Sequence, residues 1–314
     1  MKTSLSATMK NSAGLLAVLA ALTAVFSCFL DRFFSPATLQ SLLNQIPALT
    51  FVSVGMTFVL ITGGIDLSAG SLIALTSASL GVLMVQHNWS LLIAAPAVLG
   101  IGLFAGLLNG TLSTLGRIPS FIVTLGMLQA ARGAALLITG SRMQFIGAAV
   151  EPLAKPSPVT GISTAFLLAA ACVLLAQFVL TSTVFGRYCV AVGANEQALR
   201  LSGINPSGLK IAVFLISGVC AAIAGVIETS RISTGDPGGA RGFELLAIAA
   251  AVIGGTSLSG GRGSVLQTFL GVLIISVLQT GLAHAGAGEG LRYLITGSVT
   301  VGAVAFEPWR NRNA

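Results

Sequence analysis

The sequence predicts an all-α integral membrane protein of about ten transmembrane helices, and three observations predict it. Hydrophobic residues make up 54% of the 314 residues and charged residues 8%, where a soluble domain carries about 25% charged residues. The mean hydropathy is +0.94, which leaves too little polar surface to solvate a globule of this length. The chain also holds 38 glycines, in keeping with the higher glycine content of transmembrane helices. Net charge is +7, yet the Lys and Arg residues form no basic cluster, which argues against a nucleic-acid-binding surface.

A span needs about 20 mostly apolar residues. Ten such runs lie between turn signals: 13–30, 42–62, 68–86, 91–115, 118–140, 162–181, 209–230, 243–258, 264–284 and 291–306. The first follows Lys2 and Lys10, so Met1 to Val25 resembles a signal peptide, and Val25-Phe26-Ser27-Cys28 loosely resembles a lipoprotein cleavage box that Phe26 fits poorly. With nine further spans behind it, the run reads as an uncleaved helix.

The second and third spans are separated by Thr62-Gly63-Gly64-Ile65-Asp66-Leu67-Ser68-Ala69-Gly70-Ser71. Each glycine costs a helix interior about 1 kcal/mol against alanine, and a carboxylate deep in lipid is costly. This stretch therefore reads as a break between two helices. Asp66, with Ser68, suits a cap for the third span, where it satisfies orphan amides at the positive helix end. The same residue suits a polar path, and the two roles are compatible.

In the fourth span Gly102, Gly106 and Gly110 form a ladder of small residues that lets another backbone approach closely. Ala221 and Gly225 repeat the spacing in the seventh. Arg132 lies about eight residues from the outer end of the fifth span, where it either snorkels to the headgroups or occupies a buried polar cavity. Glu228 and Arg231, three apart, read as a local ion pair. The eighth span is short and bounded by glycines.

Segment 182–208 is the longest inner connection. Within it, Gly193 to Pro206 reads as a short amphipathic helix that Ala194 or Asn195 starts and Gly203 ends, with Ala198, Leu199 and Leu201 as its apolar side. Such a helix suits docking to a cytoplasmic partner; a place in the headgroups is the alternative. Gly63 to Gly70 also aligns with Gly254 to Gly261 at an offset of 191, with five of eight positions identical. Transporters often hold internal repeats with interrupted helices at their interface, and chance similarity in a glycine-rich chain is the rival explanation.

With the N-terminus in the cytoplasm, Lys2, Lys10, Arg117, Arg187, Arg200, Lys210, Arg262, Arg310 and Arg312 fall inside. Arg32, Arg142, Lys155, Arg231, Arg241 and Arg292 fall outside. The excess places both termini in the cytoplasm. The expected organisation is a single membrane domain, with tails at 1–12 and 307–314 and a docking loop at 182–208.

Catalysis finds little support. His87 and His284 have no second metal ligand nearby, no HExxH or nucleophile elbow is present, and no metal site is expected. Gly255 to Arg262 has the GxxxxG frame of a phosphate loop but lacks its lysine, so any ATP that drives the protein is hydrolysed by another chain. Cys28, Cys172, Cys189 and Cys220 have no ligand spacing and read as small hydrophobes.

Several stretches resemble a known family. They are Gly55-Met56-Thr57 through Gly63–Ser71, Pro119-Ser120-Phe121-Ile122-Val123-Thr124-Leu125-Gly126 with Arg132-Gly133, Phe185-Gly186-Arg187-Tyr188, and Ala191–Glu196. Arg200–Ile204, Gly242-Phe243-Glu244-Leu245, Ala247–Ala250 and Gly254–Gly263 complete the match, in order over about 40–306. The chain resembles the ribose-type monosaccharide permeases of ATP-binding-cassette importers. That resemblance implies the permease fold with ten spans per subunit and a second permease subunit, as homo- or heterodimer. It also implies a cytoplasmic ATPase, an extracytoplasmic sugar-binding protein and a place in the inner membrane. The family's docking loop falls on residues 187–206. Leu246 stands where the family often has an acid, and Glu196 and Gly203 are spaced one residue wider than the general docking motif.

The sequence is thus expected to form the path for a small sugar or polyol, with no catalytic residue, no cofactor of its own and no nucleic-acid partner. Thr62, Asp66, Ser68, Thr256 and Ser257 are the candidate path residues, and Arg187, Asn195, Glu196, Ala198, Arg200 and Gly203 the candidate docking residues. The alternatives are a secondary transporter driven by an ion gradient, for which Asp66 is the one serious ion-site candidate, and a channel or purely structural subunit whose solute flux is indifferent to ATP or absent.

Overall fold

A computed structural model describes residues 2–31, 33–157 and 161–312. Arg32 and the side chains of Lys2, Lys10, Glu307, Arg310 and Arg312, which enter the charge comparison above, lie outside the described residues. The helices are α1 (Lys2–Phe29), α2 (Pro36–Ile61), α3 (Ala69–Val85), α4 (Leu91–Thr114), α5 (Ser120–Thr139) and α6 (Thr164–Ser182). They continue with α7 (Val184–Leu201), α8 (Pro206–Ile232), α9 (Phe243–Ile253), α10 (Val265–His284) and α11 (Glu289–Arg312). Two short strands, β1 (Gln144–Phe145) and β2 (Thr234–Gly235), pair antiparallel.

Seven of these helices are long and apolar enough to cross a membrane: the Ser12–Phe29 part of α1, then α2, α4, α5, α6, α8 and α10. Serines and an asparagine start four of the apolar helices as N-caps: Ser35, Ser163, Asn205 and Ser264 each accept a backbone N–H of the first turn. Each cap is worth about 1 kcal/mol.

The expected eighth span is corrected. Apolar residues continue only to Ile253, and Gly255 at φ +90° turns the chain. The resulting α9 has 11 residues, or roughly 16 Å at 1.5 Å per residue, half the roughly 30 Å of bilayer hydrocarbon. Helix α1 also runs through most of the segment expected as a tail.

Helix α8 is the central post, and glycine decides how closely its neighbours approach. A Cβ on Gly102 would overlap the Gly218 carbonyl, one on Gly106 the Phe214 carbonyl, and one on Gly110 would lie 2.8 Å from Ile211 Cα. On its other sides α8 receives Gly55 of α2 against Ser217, while its own Gly225 fits beneath Thr76 of α3. Without a hydrophobic drive between helices in lipid, such contact supplies the association energy.

Candidate functional site

The break between α2 and α3 keeps its backbone satisfied by borrowing hydroxyls from α5. Ile65 N–H donates to Ser120 Oγ at 3.0 Å, and Leu67 N–H to Thr124 Oγ1 at 3.0 Å. Thr124 Oγ1 also lies 3.2 Å from the Ile65 carbonyl. A buried amide without a partner costs about 1–3 kcal/mol, so the serine and threonine at the start of α5 make an irregular backbone tolerable inside the bundle.

Asp66 is 1% exposed. Its Oδ1 accepts the Ser68 N–H at 2.9 Å and the Ser68 hydroxyl at 2.6 Å, and its Oδ2 accepts the Ser217 hydroxyl at 2.7 Å. Asn109 Nδ2 donates to Ser68 Oγ at 3.0 Å. The carboxylate thus holds the amide of Ser68, the residue that precedes α3, and no amide within the helix, while Ser68 itself makes no side-chain cap. In addition it joins the break to α8, and through Ser68 to α4. Ser217 is 11 residues into α8, roughly 16 Å along it, so this cluster lies well inside the bundle.

The second break, between α9 and α10, meets the first. Gly261 N–H donates to the Ile61 carbonyl at 2.9 Å. A Cβ on Gly193 of α7 would overlap both of those atoms, and one on Gly260 would lie 3.0 Å from Gly193 Cα and 3.1 Å from Gly63 N. The two echoing glycine stretches and the middle of α7 are therefore packed backbone on backbone. Thr256 and Ser257 are buried here: Thr256 Oγ1 lies 3.5 Å from Thr268 Oγ1, which lies 2.9 Å from Thr57 Oγ1. The Ser257 hydroxyl accepts the Ser259 N–H at 3.3 Å.

Just beyond this joint α7 changes direction. Asn195 has φ −163° and ψ 94°, and its Oδ1 accepts the Ala198 N–H at 2.9 Å, so it caps a second, short helical piece. Gly203 at φ +84° ends that piece, and Ile204 N–H closes on the Leu199 carbonyl at 3.3 Å. The expected helix is present, but its apolar side is divided. Leu199 turns inward at 8% exposure and Leu201 outward at 83%. The first half of α7 was not expected as helix; it carries Cys189, whose thiol burial pushes up to about 12.

A cavity of about 1040 Å³ opens at this end of the bundle, walled by Thr62 to Ile65, the start of α5, and the α7–α8 turn. Glu196 stands in its wall, 2.5 Å from Lys210 Nζ and 3.6 Å from Arg200 Nη2. Of the candidate path residues Thr62 lines this cavity; Asp66 and Ser68 are buried and do not line it, and Thr256 and Ser257 lie at the joint. Of the candidate docking residues Glu196, Arg200 and Gly203 line it, while Arg187, Asn195 and Ala198 are exposed nearby on α7. Sequence reasoning missed Asn109 and Ser217. The available signal was a polar residue alone in an apolar run, which needs a partner in lipid.

At the opposite end β1 and β2 tie together the two long loops. Arg132 Nη1 donates to the carbonyls of Pro237 at 3.2 Å and Gly239 at 2.8 Å. Arg132 therefore pins a returning loop above α9 instead of reaching for headgroups. Among the described residues no group of His, Cys, Asp and Glu could hold a metal ion, and the four cysteines are free.

The family described as "Branched-chain amino acid transport system / permease component" matches residues 38–304. The chain is 37% identical over 303 residues to the ribose import permease protein of Escherichia coli, covering 93% of this chain and 92% of that protein. It is 32% identical over 291 residues to the fructose import permease protein of Rhizobium meliloti, covering 88% and 79%. To the L-arabinose ABC transporter permease protein of Azospirillum brasilense it is 33% identical over 300 residues, covering 96% and 88%. No solved structure gives a significant match.

Proposed function

Because the chain belongs to the family of branched-chain amino acid transport system permease components, we propose that it is the membrane permease subunit of an ATP-driven importer for a monosaccharide or related small polyol. It is a multi-pass protein of the inner membrane, and the sugars named for its relatives support the substrate class. In this reading the α7 end faces the cytoplasm. An ATP-binding-cassette ATPase docks on Arg187, Asn195, Glu196, Ala198, Arg200 and Gly203 and does all the ATP chemistry. A second permease subunit completes the path, and a sugar-binding protein delivers the solute at the β1–β2 end.

The observation that carries this reading is the joint at Ile61, Gly193 and Gly261. Displacement of α7 by a docked ATPase is felt at once by both helix breaks, because no side chain stands between the three backbones. Thr62 lines the path, and Asp66, Ser68, Thr256 and Ser257 join its wall as the breaks part. The reading is tested by purifying the chain in detergent with its co-expressed partners and reconstituting the complex. Recovery of an ATPase with ATP-dependent uptake of d-ribose, d-fructose or l-arabinose supports it; ion-driven uptake by the lone chain overturns it.

A further inference from the structure

A second, smaller cavity of about 180 Å³ lies toward the β1–β2 end, between α2, α8, α9 and α10. Its polar wall is Gln45, Glu228, Arg231, Ser276 and Gln279, and Phe243 with three aliphatic side chains makes the rest. The Arg231 guanidinium grips the Glu228 carboxylate with two hydrogen bonds, Nε to Oε2 at 3.1 Å and Nη2 to Oε1. The pair cancels in charge, yet three guanidinium N–H groups and lone pairs on both carboxylate oxygens remain for a guest. Gln45 gives one amide N–H to Ser41 Oγ at 3.0 Å and keeps its carbonyl. Ser276, 6% exposed, and Gln279 have no hydrogen-bond partner among the described residues. Both line the cavity with hydrogen-bonding capacity that the described residues do not use.

The size and chemistry of the cavity define the guest. It far exceeds the roughly 10–15 Å³ that one water requires and falls below the roughly 300–1,000 Å³ of sites for drug-sized ligands. Its wall is rich in donors and acceptors with no unbalanced charge, and Phe243 adds apolar surface suited to the C–H groups of a ring. An ion or a zwitterion would have to open the Glu228–Arg231 pair to find its counter-charge, whereas an uncharged polyol uses the pair as it stands. We propose that this cavity is a binding site for a single uncharged monosaccharide, a station on the outer side of the path. The proposal rests on the permease reading above and adds to it the residues that recognise cargo.

Equilibrium dialysis of the full-length chain in lipid nanodiscs with radiolabelled d-ribose, d-fructose, l-arabinose and l-leucine tests it, alongside uptake by the reconstituted importer. The expected result is saturable retention of at least one sugar by the wild-type chain, weakened about tenfold in Gln279→Ala and in Ser276→Leu. Gln279→Ala removes a partly exposed side chain, and equal thermal unfolding of variant and wild type confirms that it folds. Retention unchanged in both variants overturns the site, as does no retention by a chain whose importer still accumulates sugar; the permease reading survives either. Retention of leucine without any sugar overturns the site's ligand class and, with no sugar uptake by the importer, the permease reading as well.

Discussion

The Asp66 carboxylate accepts the hydroxyl of Ser217 at 2.7 Å, across 151 residues of chain. One oxygen serves the start of α3 and the other the middle of α8, so a single buried charge holds two helices in register. Removing the carboxylate leaves the Ser68 amide and the Ser68 and Ser217 hydroxyls without their acceptor, at about 1–3 kcal/mol for each buried group left unpaired. Asp66→Ala is therefore expected to lower thermal stability in detergent markedly, whereas Asp66→Asn, which keeps an acceptor for one hydroxyl, loses less. A melting temperature unchanged in Asp66→Ala would show that the network does not stabilise the fold.

Gly193 has no room for a side chain, since a Cβ would overlap the Ile61 carbonyl and the Gly261 amide. Gly193→Ala must push α7 away from both helix breaks. Expected is a reconstituted importer that binds its ATPase and hydrolyses ATP but moves at least tenfold less sugar per ATP, an uncoupling of about 1.4 kcal/mol or more. Gly208→Ala, where nothing lies within 4 Å, is the control that keeps the wild-type ratio.

Leu201 is 83% exposed on the short helical piece of α7. A change there touches no core, so Leu201→Glu leaves thermal unfolding within about 0.5 kcal/mol of wild type. If this surface meets the ATPase, recovery of the ATPase in a detergent pull-down falls several-fold. Full recovery would place the docking surface elsewhere.

Arg132 donates to two carbonyls of the loop that precedes α9. Arg132→Leu leaves both without a partner, at about 1–3 kcal/mol each. Hydrogen exchange and protease access should rise in 236–242 and stay unchanged in 63–68, which α5 holds independently through Ser120 and Thr124.

Burial pushes the Cys189 thiol up to about 12. Because thiolate is the reactive form, Cys189 stays unlabelled by maleimide between pH 7 and 9 in folded protein, while exposed Cys28 is labelled. Labelling of Cys189 only after denaturation, seen by mass spectrometry, confirms its place.

What could be read from the chain was whatever is local in it. Three glycines and a carboxylate announce the break at 63–70; Asn195 and Gly203 mark both ends of a helix by their own backbone preferences; and the glycines at 102, 106 and 110 announce close packing. What could not be read was pairing at a distance. Nothing near Asp66 names Ser217 or Asn109, and nothing near Ile65 names Ser120. The same limit hid the division of Leu199 from Leu201, because which side of a short helix faces inward depends on what it packs against. The half-length of α9 was hidden differently: the small residues from Gly254 to Ser257 and the apolar Leu258 can extend a helix on composition alone, and only the turn at Gly255 shows where helix gives way.

The joint at Ile61, Gly193 and Gly261 is made of main chain, and main chain says nothing about cargo. In the proposed importer, a lever assembled from carbonyls, amides and missing side chains leaves the rest of the wall free to be rewritten for a different solute without retuning the ATPase's grip. One drive train can serve many loads, and exchange of a few cavity residues is the natural route from one sugar to the next.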